Sequence, residues 1–299
     1  MNSSMKGNLM LTTTAIIWGM SFVAQRVGAQ LIGAFAFNGI RFALGGLSLI
    51  PLLLFLDRKT DRMTISSAFK AALPAGFIMG SVLFCAAALQ QIGIKYTTAG
   101  NSAFITGLYI ILVPFLSVFL RRHIERKIWA AGTVAVIGLY LMTVDTSFQV
   151  NSGDLITLAG SFFWAAHILL VDHFVRRYDV LKLTILQFFC CSLLSLAAAA
   201  VFETTTVGMV QAAWIPIIYG GLMSVGIAYT LQMFGQRSVN PSLAAIILSF
   251  EIVFAALGAA WLLSETFNAR GYAGAALIFI GILISQLRVP LRLKAPAGS

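Results

Sequence analysis

The chain alternates long apolar runs with short breaks of charged or turn-forming residues. Ten runs of about 20 residues can be separated, and about 20 apolar residues span the hydrocarbon core of a bilayer as an α-helix. The run centres lie near residues 18, 45, 79, 109, 137, 164, 191, 222, 251 and 279. The pattern therefore predicts an all-α integral membrane protein with ten transmembrane helices.

The composition agrees with lipid as the main surrounding solvent. Hydrophobic residues make up 59% of the chain and charged residues only 10%, whereas about a quarter of a soluble domain is charged. The net charge of +10 is spread in short clusters between the apolar runs, so it indicates membrane topology and not a nucleic-acid partner. Cys85, Cys190 and Cys191 lie inside apolar runs without metal-ligand spacing, and we interpret them as helix-packing residues.

The basic residues also predict the orientation of the chain. If both termini are cytoplasmic, only Arg26, Arg41, Lys95 and Arg270 of the 20 basic residues fall outside or within the membrane. The other basic residues then lie on the cytoplasmic side, as the positive-inside rule requires. The opposite orientation would invert this distribution, so we expect both termini in the cytoplasm.

The second half of the chain resembles the first when it is shifted back by about 142 to 146 residues. Ile17–Gly19 then lies over Phe163–Ala165, and Leu89–Gln90 lies over Leu231–Gln232. Each half carries an odd number of predicted helices, so the second half must enter the membrane from the opposite side. The sequence therefore predicts an inverted-topology repeat, the architecture that underlies alternating access in many transporters.

The most specific motif lies in the ninth run, where Glu251–Leu257 is followed by Leu262–Glu265. It resembles a pattern of Glu, Pro-Val and an apolar run that ends in Gly-Glu, although Ile252 replaces the Pro and Ser264 the Gly. Two further segments resemble motifs that accompany this pattern. They are Phe104–Tyr109, which runs into Val113–Pro114, and Trp18–Gly19 in the first helix. Over nearly its whole length the chain resembles the drug/metabolite transporter superfamily in its ten-helix form with two EamA domains. His123 stands where bacterial members often have Glu.

The resemblance implies a division into two inverted five-helix EamA repeats, residues 8–145 and 154–288. It also implies a secondary transporter, an exporter or exchanger of amino acids or related small metabolites in a bacterial inner (plasma) membrane. Such a carrier works by alternating access around a central cavity and needs no cofactor or ATP. The sequence contains no Gly-rich phosphate loop. Proton coupling and simple downhill exchange both stay open, as does the oligomeric state.

Polar and aromatic residues near the centres of the runs are the candidates for the transport site. A polar group in hydrocarbon is costly unless it is paired or faces water, so such residues normally face inward. They line a solvated path or tie helices together. The candidates are Trp18, Ser21, Asn101, Thr106, Tyr109, Trp164, His167, Tyr229, Gln232 and Glu251. We expect neither a catalytic nor a metal site.

Four of these positions, and also Arg41, have competing interpretations. Glu251 either binds a substrate amine, takes up a proton or anchors a packed helix. His167 is either a proton carrier or a neutral partner in one interhelical hydrogen bond. The repeat places Trp18 opposite Trp164, where two indole rings either suit a flat or partly apolar solute or anchor their helices at the membrane interface. Arg41, near the outer end of its helix, is interpreted as an interfacial anchor, with binding of a substrate carboxylate as the alternative.

Other function classes are less compatible with the pattern. A channel-like facilitator would keep the same fold without alternating access. An intramembrane enzyme could use Glu251, His167 and Asp172 as acids and bases, but no nucleophile or metal constellation accompanies them. A membrane scaffold would need large soluble loops, and the breaks between the runs are short.

Overall fold

The computed structural model describes residues 3–58, 61–119, 126–143, 151–266 and 269–286. Every regular element within these residues is helical, which confirms the predicted all-α fold. The helices are α1 (Ser3–Leu31), α2 (Ala34–Asp57), α3 (Arg62–Ile94), α4 (Ala99–Thr106), α5 (Tyr109–Phe119), α6 (Arg126–Thr143), α7 (Ser152–Phe174), α8 (Val180–Phe202), α9 (Val207–Ala212), α10 (Trp214–Ile218), a π-helical segment (Tyr219–Tyr229), α11 (Thr230–Gln236), α12 (Pro241–Leu248), α13 (Glu251–Leu262) and α14 (Ala269–Gln286). His123 lies outside the described residues.

Eight stretches of the described chain are long and apolar enough to cross a membrane. They are Ser3–Leu31, Ala34–Asp57, Met63–Ile94, Ala99–Phe119, Ser152–Phe174, Val180–Phe202, Trp214–Gln236 and Pro241–Leu262. The predicted fifth and tenth runs coincide with α6 and α14, which pack against each other. The apolar part of α14, Ala269–Gly281, is shorter than these eight stretches. A total of ten spans therefore stays a prediction.

The helices form a bundle that buries polar groups and exposes apolar ones. α2 packs on α8, α3 packs on both α7 and α8, and α1 packs on α13 and the π-helical segment. Large apolar side chains such as Leu54, Phe202 and Trp261 lie exposed on the outside of the bundle. Thr14, Gln187 and other polar side chains are buried inside it. This distribution is the one expected when lipid surrounds the bundle.

Two of the predicted continuous helices are broken at their centres. The fourth run is divided into α4 and α5 at Gly107–Leu108, and the ninth into α12 and α13 at Ser249–Phe250. At both breaks the backbone makes i→i+3 hydrogen bonds, such as Ile110 N to Gly107 O at 3.0 Å and Ile252 N to Ser249 O at 3.1 Å. This tighter winding interrupts the α-helix. The interruptions bring Tyr109 and Glu251 to the first positions of α5 and α13.

The eighth run contains a π-helical segment instead of a uniform α-helix. Tyr219–Tyr229 has this wider winding, which is rare and concentrated at functional sites. α2 crosses the segment closely, since a Cβ built on Gly45 would lie 3.0 Å from the Gly221 carbonyl oxygen. Such backbone approach requires glycine. The apolar composition of the run does not distinguish π-helical from α-helical winding.

The turn at the C-terminal end of α13 shows why the family pattern has a glycine there. Ser264 follows α13 with a φ of 55°, in the left-handed region that favours glycine. This is the position at which the family pattern has glycine. The turn continues with a hydrogen bond from Glu265 N to Ala259 O at 3.1 Å. It thereby positions the Glu265 side chain at the end of the helix.

Candidate transport site

A cavity lies at the centre of the bundle, and the empty space in it and at its mouth amounts to about 430 Å³. Side chains from α1, α2, α3, α4, α5, α7, the π-helical segment, α11 and α13 line it. Among the lining residues are eight of the ten predicted candidates: Trp18, Ser21, Thr106, Tyr109, Trp164, Tyr229, Gln232 and Glu251.

Trp18, Trp164 and Tyr229 form an aromatic wall on the cavity. The Trp18 ring centroid lies 6.5 Å from that of Trp164 and 4.6 Å from that of Tyr229. Trp18 Nε1 donates a hydrogen bond to the Ser224 carbonyl oxygen at 3.1 Å, which holds the indole against the π-helical segment. Trp164 Nε1 is buried and has no hydrogen-bond acceptor among the described residues.

Glu251 is a buried acid on the same cavity. Its side chain is 3% exposed, and the Tyr109 hydroxyl donates to Glu251 Oε1 at 2.9 Å. The bond joins the first residues of α5 and α13, so the two helix breaks meet at this point. The second carboxyl oxygen, Oε2, has no hydrogen-bond partner within the described chain.

A polar network lies beside the aromatic wall and consists of Ser21, Gln25, Gln90 and Thr106. Gln90 Nε2 donates to Gln25 Oε1 at 2.9 Å, and Thr106 Oγ1 donates to Gln90 Oε1 at 3.3 Å. Gln25 Nε2 donates to Ser21 Oγ at 3.3 Å. Gln25 and Gln90 line the cavity but are not among the predicted candidates. Their amides within apolar runs are the signal that identifies them.

Arg41 is the largest departure from the predicted site. The sequence places it near a helix end as an interfacial anchor, but its side chain is 2% exposed and lines the cavity. Its Nε donates to Asn38 Oδ1 at 2.9 Å, and its guanidinium carbon lies 5.0 Å from the Phe42 ring centroid. Gly220 leaves the space, since a Cβ there would lie 3.3 Å from Arg41 Cδ. The interpretation of Arg41 as an anchor is therefore wrong.

Two predicted candidates are not part of the cavity lining. His167 is fully buried behind the aromatic wall, with Nε2 2.9 Å from Gln187 Oε1 and its ring centroid 6.3 Å from that of Trp164. Asn101 lies half-buried near the start of α4, where its backbone N donates to Thr98 Oγ1 at 3.0 Å. A role for either residue in transport would therefore be indirect. Among the residues described by the structure, no group of three or more His, Cys, Asp or Glu could hold a metal ion.

A family model described as the EamA-like transporter family matches this chain twice, over residues 5–144 and 151–287. The chain belongs to the EamA-like transporter family. The predicted resemblance to the drug/metabolite transporter superfamily is thereby confirmed. EamA membership, together with the apolar helices, makes the chain a multi-pass membrane transporter that acts on a small molecule in a lipid bilayer.

Relatives of this EamA chain carry transporter names. It is 31% identical to an uncharacterized transporter of Archaeoglobus fulgidus, over 94% of this chain and 86% of that protein. It is 26% identical to a probable amino-acid metabolite efflux pump of Salmonella typhimurium, over 98% of both chains. A solved crystal structure superposes with a TM-score of 0.76 at 18% identity, covering 94% of this chain and 96% of the other. That likeness shows a shared fold.

Proposed function

We propose that the protein is a secondary transporter that moves amino acids or related small metabolites by alternating access around the central cavity. It would lie in the inner (plasma) membrane with both termini in the cytoplasm. The observation that carries the proposal is a cavity with an aromatic wall, a buried acid and a buried cation at the centre of the bundle. The name of the Salmonella typhimurium relative, a probable amino-acid metabolite efflux pump, supports this substrate class.

Contacts around the cavity support two inverted repeats, residues 8–145 and 154–288. In a two-fold arrangement, equivalent residues near the axis must face each other. Three pairs separated by the predicted offset do so. The ring centroids of Trp18 and Trp164 lie 6.5 Å apart, and those of Phe42 and Phe188 lie 6.0 Å apart. Tyr109 and Glu251 are joined by their hydrogen bond. The axis would then pass through the cavity, where transporters of this architecture bind their substrates.

Close helix crossings at the two ends of the bundle follow the same correspondence. A Cβ built on Gly153 would lie 2.6 Å from the Gly93 carbonyl oxygen, and one built on Gly7 would lie 3.0 Å from the Gly235 carbonyl oxygen. Gly7 corresponds to Gly153, and Gly93 to Gly235, at the offsets of the repeat. The two helix breaks correspond as well. This agreement supports ten spans, with α6 and α14 as the fifth and tenth.

Carboxylates join the two halves on the predicted outer side. Glu203, which follows α8, accepts hydrogen bonds from the backbone N of Phe35 and of Ala36 at 2.9 Å each. Glu265, which follows α13, accepts from the backbone N of Ala99 at 3.1 Å and of Gly100 at 3.3 Å. Each carboxylate thus caps the start of a helix in the other half, where the helix dipole favours negative charge. Outward opening would require these bonds to separate.

An ion pair joins the halves on the predicted inner side. Lys182 Nζ, near the start of α8, lies 2.8 Å from Asp57 Oδ2 at the end of α2. Asp57 corresponds to Glu203 at the repeat offset. The Asp57–Lys182 pair is therefore the inner counterpart of the Glu203 contact, and alternating access would break the contacts on one side while those on the other are kept.

Removing the outer contacts should favour the outward-open state. We expect the double variant Glu203→Ala with Glu265→Ala to increase, several-fold, the rate at which an impermeant thiol reagent added outside labels Thr106→Cys. The background would have Cys85, Cys190 and Cys191 replaced by serine. The rise follows from losing charged hydrogen bonds worth about 1.5–3 kcal/mol each when formed. The control is Asp154→Ala, which lies on the same side and has no hydrogen bond between the halves within the described chain. Equal labelling rates in the control and in the double variant would contradict the role of the two carboxylates.

Counterflow in proteoliposomes tests the proposed function itself. Vesicles preloaded with an unlabelled pool of amino acids and small metabolites should accumulate the matching labelled compound transiently and saturably. Uptake without stimulation from the opposite side would favour the channel-like facilitator. No accumulation of any compound in the pool would remove the proposal. A pH gradient imposed across the same vesicles distinguishes the two coupling modes. Proton coupling predicts that the gradient changes the final accumulation of the labelled compound, and downhill exchange predicts no change.

A further inference from the structure

Arg41 carries hydrogen-bonding capacity that the described residues do not use. Nε is bound to Asn38 Oδ1 at 2.9 Å, whereas the donors on Nη1 and Nη2 have no partner in the described part of the chain. The ion pairs found among the described residues do not include Arg41. The side chain is nevertheless 2% exposed and lines the cavity. Arg41 therefore presents an unpaired fork of N–H groups to the central cavity.

An unpaired buried guanidinium needs a complementary anion. The Phe37 and Phe42 rings lie 5.4 and 5.0 Å from its guanidinium carbon and supply only part of the missing solvation. A guanidinium holds its planar fork in the geometry that binds a carboxylate through two hydrogen bonds. An anion that enters the cavity would thus find its partner already in place. Membrane proteins rarely keep an unpaired cation buried among their spanning helices without a functional reason.

The cavity also presents acceptors for a positively charged group. Glu251 Oε2 and Gln232 Oε1 have no hydrogen-bond partner among the described residues, and both side chains line the cavity. The aromatic wall, Trp18, Trp164 and Tyr229, offers an apolar surface beside them. The cavity therefore combines a cationic donor, an acidic acceptor and an aromatic surface, which together complement an α-amino acid.

We propose that Arg41 binds the substrate carboxylate, so that the cargo is a zwitterionic amino acid whose ammonium group faces Glu251 and Gln232. This assignment rests on the proposed transport function and narrows its substrate class. Neutral metabolites, amines without a carboxylate and carboxylic acids without an amine lack one of the two charged contacts. Arg41 acts as the specificity-determining residue for the carboxylate.

Competition in counterflow tests the proposal on the wild-type protein. The probe is the labelled amino acid from the metabolite pool that shows counterflow, and the competitors are its unlabelled form, its amide, its decarboxylated amine and its des-amino acid. We expect the unlabelled amino acid to compete at least about tenfold better than each analogue. Equal competition by the amide and the parent acid would overturn the proposal.

An Arg41 variant tests the residue assignment. Arg41→Gln should raise KM for the amino acid at least about tenfold and remove the preference for the acid over the amide. Arg41→Lys, which keeps the charge but not the planar fork, should recover part of the preference. The matched control is Arg177→Gln, an exposed cation outside the cavity, and its KM should equal that of the wild type. An Arg41→Gln protein that still prefers the acid would overturn the assignment.

The outcomes separate this proposal from the broader function. Transport of pooled metabolites that carry no carboxylate, with no amino acid transported, would refute the amino-acid assignment and leave the carrier function standing. No transport of any pooled compound would refute both. If Arg41→Gln does not fold, the wild-type competition series still decides whether the carboxylate is recognised.

Discussion

Glu251→Gln is expected to lower the initial rate of counterflow at least about tenfold without loss of folded protein. The acid is 3% exposed, lines the cavity and accepts a hydrogen bond from the Tyr109 hydroxyl at 2.9 Å. The amide keeps an oxygen for that bond, but it carries no charge for a substrate ammonium and cannot take up a proton. A tenfold loss equals about 1.4 kcal/mol, close to the roughly 1.5–3 kcal/mol of a hydrogen bond to a charged group.

Two variants separate transport from packing in this experiment. Tyr109→Phe removes the hydrogen bond but keeps the acid, so it should reduce the rate less than Glu251→Gln does. Asp61→Asn changes an exposed acid at the start of α3, outside the cavity, and keeps a residue that caps helices well. Its rate should match the wild type. A wild-type rate for Glu251→Gln would leave Glu251 with a role in helix packing alone.

Gly19→Ala is expected to destabilise the protein by about 1–3 kcal/mol, the usual cost of overpacking. A Cβ at this position would collide with the Phe254 Cβ and lie 2.6 Å from the Glu251 carbonyl oxygen and 2.9 Å from Ala255 N. Backbone atoms cannot move aside without separating α1 from α13. The expected result is a lower melting temperature in detergent and a smaller monodisperse fraction in size-exclusion chromatography.

Gly132→Ala is the matched control for this change. The same substitution in α6 meets only Ile111 Cγ1, at 3.9 Å, which is ordinary van der Waals contact. Its melting temperature should stay near that of the wild type. Equal melting temperatures for Gly19→Ala and Gly132→Ala would mean that α1 and α13 do not cross as closely as the structure indicates.

Much of the candidate site could be predicted because the bilayer restricts where polar residues can lie. Ser21, Thr106, Gln232 and Glu251 interrupt long apolar runs, and burial in a bundle is the inexpensive solution for such groups. All four line the cavity. Trp18 and Trp164 were found through the repeat, and their rings lie 6.5 Å apart.

The residues that were misplaced depend on the direction in which each side chain points. Arg41 lies close enough to a helix end to reach the interface, but Gly220 opens space for its side chain inside the bundle. His167 lies one turn from Trp164, yet it packs behind the ring instead of beside the cavity. Position along a helix predicts depth only to within about a turn, and packing decides the rest.

By itself the sequence determined the helical membrane fold and most of the polar residues that line the cavity, because the cost of polar groups in hydrocarbon acts on every residue locally. The motifs along the chain determined the family. The tertiary structure alone decided the breaks at Gly107–Leu108 and Ser249–Phe250, the π-helical winding of Tyr219–Tyr229 and the inward direction of Arg41. These features arise where helices cross. They depend on contacts between residues far apart in the chain, which an apolar pattern along one helix does not encode.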